Sequence, residues 1–235
     1  MEEKEKGTTK GGSGGRGAQT PPDFSALQEE LYSAVIADVL DDLGFRHQAM
    51  DHTVRPLEAC LRLMGRAYTV LAADVYEVPE DPYLKELEAV DALTKGAVLV
   101  ATTNGSVNGA LWGELLSTAA VSKGARGAVV DGLTRDSEGI VRMGFPTFAR
   151  GYSPLDSKGR IDVIAHGVPI RCGGVAVEPG DLIFGDRDGV VVAPEAAAEE
   201  ALLRAAEKVE GEDTMRSALE EGMGVVEAYR RYGIL

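Results

Sequence analysis

The sequence predicts a single α/β domain with a mixed central sheet layered with helices and a C-terminal helix. Two continuous apolar segments, 96–102 (GAVLVAT) and 127–132 (GAVVDG), are typical of strands that are covered on both faces. A helical segment lies between them, so the three form a βαβ unit. Short strand-like segments with turn residues follow Gly144, and Ala, Glu, Leu and Arg dominate from Glu195 onward.

The chain of 235 residues is long enough for one large domain. Residues 1–22 are rich in Gly, Lys, Glu, Thr and Pro and show no apolar periodicity. Such a composition cannot bury enough apolar surface to offset the entropy of ordering, which predicts a disordered leader. The folded domain is therefore expected to cover residues 23–235.

The first third of the domain is predicted to alternate between helix and strand. Ser25 and Gln28 resemble a capping box, and apolar residues then recur at every fourth position until Gly44, which predicts one amphipathic helix. The following segments are predicted as a strand at 60–71, a loop at 77–82 and a short helix at 83–93.

The middle of the chain holds the βαβ unit. After the strand at 96–102, the turn-rich loop 103–109 (TNGSVNG) leads into a helix predicted over 110–124. The strand at 127–132 follows, and another helix is predicted over 136–143.

The second half is predicted to be rich in β-strands up to Pro194. EPGD (178–181) is typical of a β-turn. DRDG (186–189) resembles a calcium loop, but Ala197 stands where that loop requires glutamate, so a hairpin turn is predicted. The final segment is expected to form one or two helices with a break at 222–224.

Composition excludes several classes of function. The formal net charge of −14 repels phosphate backbones, which argues against nucleic-acid binding. No run of about 18 apolar residues or secretion signal occurs, so a soluble, cytoplasmic protein without membrane contact is expected. Cys60 and Cys172 lack disulfide or zinc spacing and are predicted to be buried free thiols, and the three histidines lack zinc spacing too.

A charged group follows the strand at 127–132. The guanidinium of Arg135 offers a fork of donors that matches a carboxylate, and Asp136 offers the hard oxygens that Mg²⁺ or Mn²⁺ prefers. Asp131, four residues before Arg135, is expected to brace the guanidinium. The alternative is a surface turn, in which Asp136 caps the helix that follows it.

A second candidate element is WGELL (112–116), which follows the glycine-rich loop. Backbone N–H groups at a helix start can receive an anion, and Gly113 permits close approach. The alternative is that Trp112 or Leu115 merely packs against neighbouring residues.

Several segments together resemble the RraA-like family. GELL at 113–116, VVDG at 129–132 and the Arg135–Asp136 pair carry the resemblance, and FPTFARGYSP, VEPGDLIFGDRDGVVVAP and RRYGIL follow in the family's order. The likeness covers roughly residues 25–235. It implies an RraA-like fold that resembles swivelling phosphohistidine domains. The family includes 4-hydroxy-4-methyl-2-oxoglutarate aldolases, oxaloacetate decarboxylases and the regulator of RNase E activity.

The resemblance implies a site between subunits of a homotrimer or homohexamer that binds a divalent metal and a pyruvate-like acid. Carried over by position, Arg135 and the residues 113–116 would bind substrate, and Asp136 would bind the metal. Glu114 would contact metal-bound water, and Asp131 would orient Arg135. Glu212 would approach the metal of a neighbouring subunit, and Glu210 is the alternative for that role. Substrate contact through the 113–116 amides involves Gly113, Glu114, Leu115 and Leu116.

The implied activity is that of a metal-dependent carbon–carbon lyase. It would cleave a 4-hydroxy-2-oxo acid such as 4-hydroxy-4-methyl-2-oxoglutarate to pyruvate and decarboxylate oxaloacetate, because both reactions pass through the same enolate. One alternative is a non-catalytic regulator that binds a ribonuclease or helicase. A methyltransferase is the other, but the nucleotide-cofactor loop that it requires after the first strand is missing from the sequence.

Overall fold

The computed structural model describes residues 27–234. The predicted leader at 1–22 and the capping residue Ser25 lie outside these residues. In chain order the helices are α1 (Leu27–Glu30), α2 (Ser33–Asp42), α3 (Leu84–Asp91), α4 (Glu114–Ser122), α5 (Ser137–Met143), α6 (Glu195–Glu220) and α7 (Val225–Tyr232). The strands are β1 (Arg55–Pro56), β2 (Leu63–Asp74), β3 (Ala97–Thr102), β4 (Ala110–Trp112), β5 (Gly127–Thr134), β6 (Thr147–Tyr152), β7 (Ile161–His166), β8 (Ile170–Cys172), β9 (Val175–Val177), β10 (Leu182–Asp186) and β11 (Gly189–Ala193).

The central sheet is mixed, as predicted. Its strand order is β1-β6-β5-β3-β2-β10-β11, with β4 beside β5 and β7 beside β2. Strands β6, β5, β3 and β2 are parallel, whereas β1, β7, β10 and β11 pair antiparallel with their neighbours. The Arg55 guanidinium in β1 donates to the Asp188 carbonyl in the β10–β11 turn. The two ends of the sheet are therefore close together, and the sheet is nearly closed.

The βαβ unit is confirmed. β3 and β5 are adjacent and parallel, and every residue of β3 is buried. Apolar side chains cover both faces of this region: Leu99 packs in one cluster with residues of α3, α4 and α5, and Val98 packs in another with β8 and β9. The buried faces of α2 and α6 form a third cluster over β10 and β11.

The predicted first helix is broken in two, because α1 ends at Glu30 and α2 begins at Ser33. The Asp186 carboxylate accepts hydrogen bonds from the Ser33 N–H and the Ser33 hydroxyl, both at 2.7 Å. The carboxylate of a residue distant in sequence thus accepts an N–H at the start of α2, a role that a residue just before the helix usually has.

The predicted helix over 110–124 begins four residues late. Residues 110–112 instead form β4, which pairs with the end of β5. All three are buried, and the extended backbone of Gly113 (φ −155°, ψ −176°) separates this strand from α4. Strand pairing therefore outweighs the helix-like spacing of the apolar residues.

Most other predicted elements are confirmed with shifted ends. The strand expected at 60–71 is Leu63–Asp74, and β7 was not predicted. The EPGD turn has Gly180 at φ +96°, and the Asp181 carboxylate accepts from the Glu195 N–H at 3.0 Å, where α6 begins. Both cysteines are free thiols, but Cys60 is exposed, so its predicted burial is wrong. No helix within residues 27–234 has the length and apolar character needed to cross a membrane.

Candidate active site

The ends of β4 and β5 lie side by side and bring the two predicted site elements together. The Arg135 N–H donates to the Trp112 carbonyl at 2.8 Å, and the Thr134 hydroxyl donates to the same oxygen at 3.0 Å. Gly113 follows directly. A Cβ on Gly113 would lie 2.9 Å from Asp136 Oδ2 and 3.1 Å from Arg135 Cγ. The absence of a side chain on Gly113 therefore permits the close approach of the Arg135 and Asp136 side chains, which a larger residue would displace.

Asp136 occupies an unusual backbone conformation. Its φ of 54° and ψ of 31° place it in the left-handed region, where aspartate is more common than most residues but still infrequent. It precedes α5, yet its side chain makes no capping hydrogen bond. Instead, Oδ2 lies 3.4 Å from Nε of Arg135, and the side chain is 42% exposed. The capping alternative therefore does not describe this residue, whose carboxylate faces the cleft described below.

Arg135 lies between two carboxylates. Besides the contact with Asp136, its Nη1 donates to Asp156 Oδ1 at 3.1 Å. The other oxygen of Asp156 accepts the hydroxyl of Tyr83. Because a guanidinium carries five N–H donors, these contacts leave donors available for a ligand.

The expected bracing of Arg135 by Asp131 is wrong. Asp131 is 5% exposed, and its carboxylate pairs with Arg150 on the neighbouring strand β6. It also accepts the Gly173 N–H at 2.7 Å, which joins β5 to the β8–β9 hairpin. Strand order explains the difference, because Arg150 lies beside Asp131 in the sheet whereas Arg135 lies beyond the end of the strand.

An open cleft of about 480 Å³ lies beside Arg135 and Asp136. Arg142 lines it as well, and within residues 27–234 this second arginine makes no hydrogen bond or ion pair. The remaining lining residues are Glu114, Thr134, Ser137, Glu138, Gly139, Tyr152, Ser153 and Pro154. The cleft thus presents two guanidinium groups, acidic side chains and hydroxyls to a ligand.

Glu114 opens α4, and its side chain reaches α5. A Cβ on Gly139 would lie 2.5 Å from the Glu114 carboxyl carbon, so the carboxylate rests against a glycine. The first N–H groups of α4 have no partner within the helix, as at any helix start, and they are donors for an anion. Leu115 is 84% exposed and Leu116 packs against the core, so the packing alternative holds for Trp112 but not for Leu115.

The donor set in the cleft fits a hard divalent cation. Asp136 and Glu114 supply carboxylate oxygens, and Mg²⁺ in proteins is commonly held by one or two carboxylates together with waters. Across residues 27–234, no three His, Cys, Asp or Glu side chains are grouped so that they could hold a metal alone. The remaining ligands would therefore come from water, substrate or another subunit. Glu212, the expected neighbour ligand, accepts the Tyr32 hydroxyl of its own chain, and its rival Glu210 is exposed.

Asp156, which contacts Arg135, and its neighbours Tyr83 and Glu86 have shifted pKa values. The hydrogen bond to Asp156, together with burial, raises the pKa of Tyr83 to about 12, so its hydroxyl remains a donor. Partial burial favours a higher pKa for Asp156, but hydrogen bonds from Tyr83 and the backbone, with the charge of Arg135, lower that pKa below its ordinary value. Burial, followed by the charges of Asp156 and Asp162, raises the pKa of Glu86 to about 8. Glu86 is thus a neutral acid at pH 7.

Sequence reasoning missed Tyr83, Asp156 and Arg142. Asp156 lies just beyond the family-like segment FPTFARGYSP, which was the nearest available signal. Its contact with Arg135 joins residues 21 apart in the chain, and no local pattern indicates it.

The fold and the cleft define a class: an α/β protein with an arginine and carboxylates at the carboxyl end of a parallel strand, where such folds commonly bind ligands. The chain belongs to the RraA-like family, whose model, described as Aldolase/RraA, matches residues 33–192.

The proteins similar to this chain carry different names. A protein of Halalkalibacterium halodurans named "Putative 4-hydroxy-4-methyl-2-oxoglutarate aldolase" is 32% identical over 90% of this chain and 96% of its own length. DlpA of Legionella pneumophila is 28% identical over 92% of this chain but only 34% of its own length. The crystal structure of Streptomyces coelicolor RraAS2, titled as an unusual member of the RNase ES inhibitor RraA family, matches with a TM-score of 0.72 and 28% identity. That match covers 84% of this chain and 98% of RraAS2.

Proposed function

We propose that this protein is a divalent-metal-dependent lyase that cleaves a 4-hydroxy-2-oxo acid, such as 4-hydroxy-4-methyl-2-oxoglutarate, to pyruvate. Oxaloacetate decarboxylation is proposed as a second reaction of the same site. The observation that carries the proposal is the approach of Arg135 and Asp136 to Gly113 at the mouth of an acid- and arginine-lined cleft. The aldolase name of the Halalkalibacterium relative supports the same function.

The residues around Gly113 suit the binding of a 2-oxo acid. The free N–H groups at the start of α4, from Glu114 to Leu116, would receive the substrate carboxylate. Arg135 would donate its remaining N–H groups to the oxygen that becomes negative as the carbon–carbon bond breaks. Removing one such donor from an active site typically costs about 2.7 to 4 kcal/mol, or roughly a hundredfold to a thousandfold in rate.

Mg²⁺ or Mn²⁺ would be held by Asp136, with Glu114 facing its water ligands. When bound, the metal would supply Lewis-acid stabilisation of the developing enolate charge. Glu114, which lines the cleft, would also hold the water that accepts the substrate hydroxyl proton and later returns a proton to carbon. Decarboxylation omits the hydroxyl deprotonation and needs the same charge stabilisation.

Self-association into a homotrimer or homohexamer belongs to the same proposal. Leu115, next in sequence to the cleft residue Glu114, is 84% exposed, and a neighbouring subunit would cover it. Glu212 is the proposed contribution from that neighbour, and its contact with Tyr32 would hold its carboxylate in place.

A pyruvate-coupled assay of 4-hydroxy-4-methyl-2-oxoglutarate and oxaloacetate tests the proposed activity. Turnover should disappear in excess EDTA and return on addition of Mg²⁺ or Mn²⁺. Unchanged turnover in EDTA would refute metal dependence, and no turnover across a panel of 4-hydroxy-2-oxo acids with metal would refute the lyase assignment.

The match to Streptomyces coelicolor RraAS2 supports a second candidate, a non-catalytic regulator that binds a ribonuclease or helicase. This candidate gives no role to the cleft arginines. A pull-down that recovers such a partner, together with absence of lyase activity, would favour it over the first.

A further inference from the structure

Asp156 holds two functional groups at once. Its Oδ1 accepts Nη1 of Arg135 at 3.1 Å, and its Oδ2 accepts the hydroxyl of Tyr83. Both carboxylate oxygens are thus engaged, and a rotation of the carboxylate would break both contacts. Asp156 therefore couples the orientation of the Arg135 guanidinium to Tyr83, which is distant in sequence.

The backbone that carries Asp156 is fixed against β4. The Ala110 N–H donates to the Leu155 carbonyl at 2.9 Å, and Nη1 of Arg160 donates to the Asp156 carbonyl at 3.2 Å. A Cβ on Gly109 would lie 2.8 Å from that same carbonyl oxygen, so the two segments are in close contact. Since β4 ends at Trp112 and α4 begins two residues later at Glu114, one short strand aligns both the Asp156 segment and the start of α4.

Tyr83 is held in a conformation that aromatic residues rarely adopt. Its φ of 73° and ψ of −7° lie in the left-handed region, and its carbonyl accepts the Leu87 N–H at 2.9 Å at the start of α3. Outliers of this kind cluster at functional sites, where the surrounding structure maintains them. Here the strained residue contributes the hydroxyl that binds Asp156.

We propose that Tyr83 and Asp156 are positioning residues for Arg135: Tyr83 fixes the carboxylate of Asp156, which in turn aims the guanidinium into the cleft. This inference rests on the proposed function, because that function assigns substrate binding to Arg135. Neither residue lines the cleft, so both act through Arg135 and not on the substrate.

A double-mutant cycle tests the proposal. Tyr83→Phe removes only the hydroxyl, and kcat/KM for oxaloacetate with Mg²⁺ should fall by about tenfold in the otherwise unchanged protein. In an Arg135→Lys background, Tyr83→Phe should lower kcat/KM by no more than about twofold, because the guanidinium that Asp156 positions is absent. Equal losses in the two backgrounds would show a merely structural role and overturn the proposal. Tyr76→Phe is the matched control, since Tyr76 is 92% exposed in the same loop and its change should have no effect.

A second measurement does not depend on activity. ¹⁵N relaxation of the Arg135 side-chain Nε–H signal should report a restrained guanidinium in the unchanged protein and in Tyr76→Phe, and a more mobile one in Tyr83→Phe and Asp156→Asn. Unfolding midpoints would verify that each variant is folded. Unchanged Arg135 mobility in both variants would refute positioning even in an active enzyme. Loss of restraint in a protein that turns over no 2-oxo acid would refute the proposed function and leave the positioning role supported.

Discussion

The missing side chain of Gly113 and the carboxylate of Asp136 occupy neighbouring space: a Cβ on the glycine would lie 2.9 Å from Oδ2 of the aspartate. Gly113→Ala should therefore displace both Asp136 and Arg135, and we expect kcat/KM to fall by about tenfold or more. The backbone of Gly113 is extended, so alanine is tolerated there and the unfolding midpoint should change little. Gly224→Ala is the control, since a Cβ there meets nothing within 4 Å. Full activity of Gly113→Ala would show that this close approach has no catalytic importance.

Asp136→Asn should weaken metal binding and abolish most of the activity. Asparagine tolerates the left-handed backbone of this position but lacks the charge that a divalent cation requires. Titration calorimetry with Mn²⁺ measures the first effect, and the pyruvate assay measures the second. Asp91→Asn, which alters an exposed partner of Lys123, should change neither. Mn²⁺ affinity equal to that of the unchanged protein would rule out Asp136 as the ligand.

Arg135→Lys should keep the positive charge and lose the fork that contacts Asp156 and that is proposed to bind the substrate. We expect kcat/KM to fall roughly a hundredfold to a thousandfold, as for the loss of one oxyanion donor. Circular dichroism should show an intact fold, since the residue lies at the edge of the cleft. A decrease in kcat/KM of less than about threefold would indicate that a positive charge without the guanidinium fork is sufficient for activity.

Arg142→Gln should affect substrates according to their second charge. Arg142 has no partner in residues 27–234 and lines the cleft, so it is available to a distal carboxylate. We expect KM for 4-hydroxy-4-methyl-2-oxoglutarate to rise about tenfold and KM for a 4-hydroxy-2-oxo acid without a distal carboxylate to stay constant. An equal rise for both substrates would argue against this specificity. Arg187→Gln, at another exposed arginine, serves as the control.

Glu86→Gln should change how stability depends on pH. The pKa of Glu86 is raised from 4.5 to about 8, so the folded state holds a proton that the unfolded state releases. The contribution of Glu86 is full below pH 4.5 and is lost progressively as pH rises toward 8. Denaturant unfolding from pH 5 to 8 should therefore show a decline in the unchanged protein, on the order of a few kcal/mol, that is smaller in the variant. Parallel pH profiles would contradict a neutral buried Glu86.

The sequence predicted the parts of the fold that depend on local pattern. The apolar runs of β3 and β5 identified the βαβ unit, and Gly180 and Pro179 identified their turn. Residues 110–112 were predicted as helix because apolar spacing cannot distinguish a short buried strand from a helical turn. Their conformation depends on pairing with the end of β5, which is a long-range contact.

Site residues were predictable where they lie together in sequence and unpredictable where partners come from elsewhere. Arg135 and Asp136 follow one strand and were found together. Asp131 was assigned to the wrong arginine, because its partner Arg150 lies on the adjacent strand β6 and the order of strands in a sheet cannot be seen from local sequence. Asp156 was missed for the same reason, since a tertiary contact brings it to Arg135.

The carboxylate of Asp186 also has a consequence for how the protein is made. It completes the start of α2 across 153 residues of chain, and β10, which carries it, covers the edge of β2. During synthesis, α2 must leave the ribosome long before its partner does, and residues 63–66 of β2 must wait with one edge unpaired. Such late closure slows folding and exposes a strand edge to other chains. Truncations that end before residue 186 are therefore expected to aggregate, and a slower rate of translation near the C-terminus would lengthen the vulnerable period.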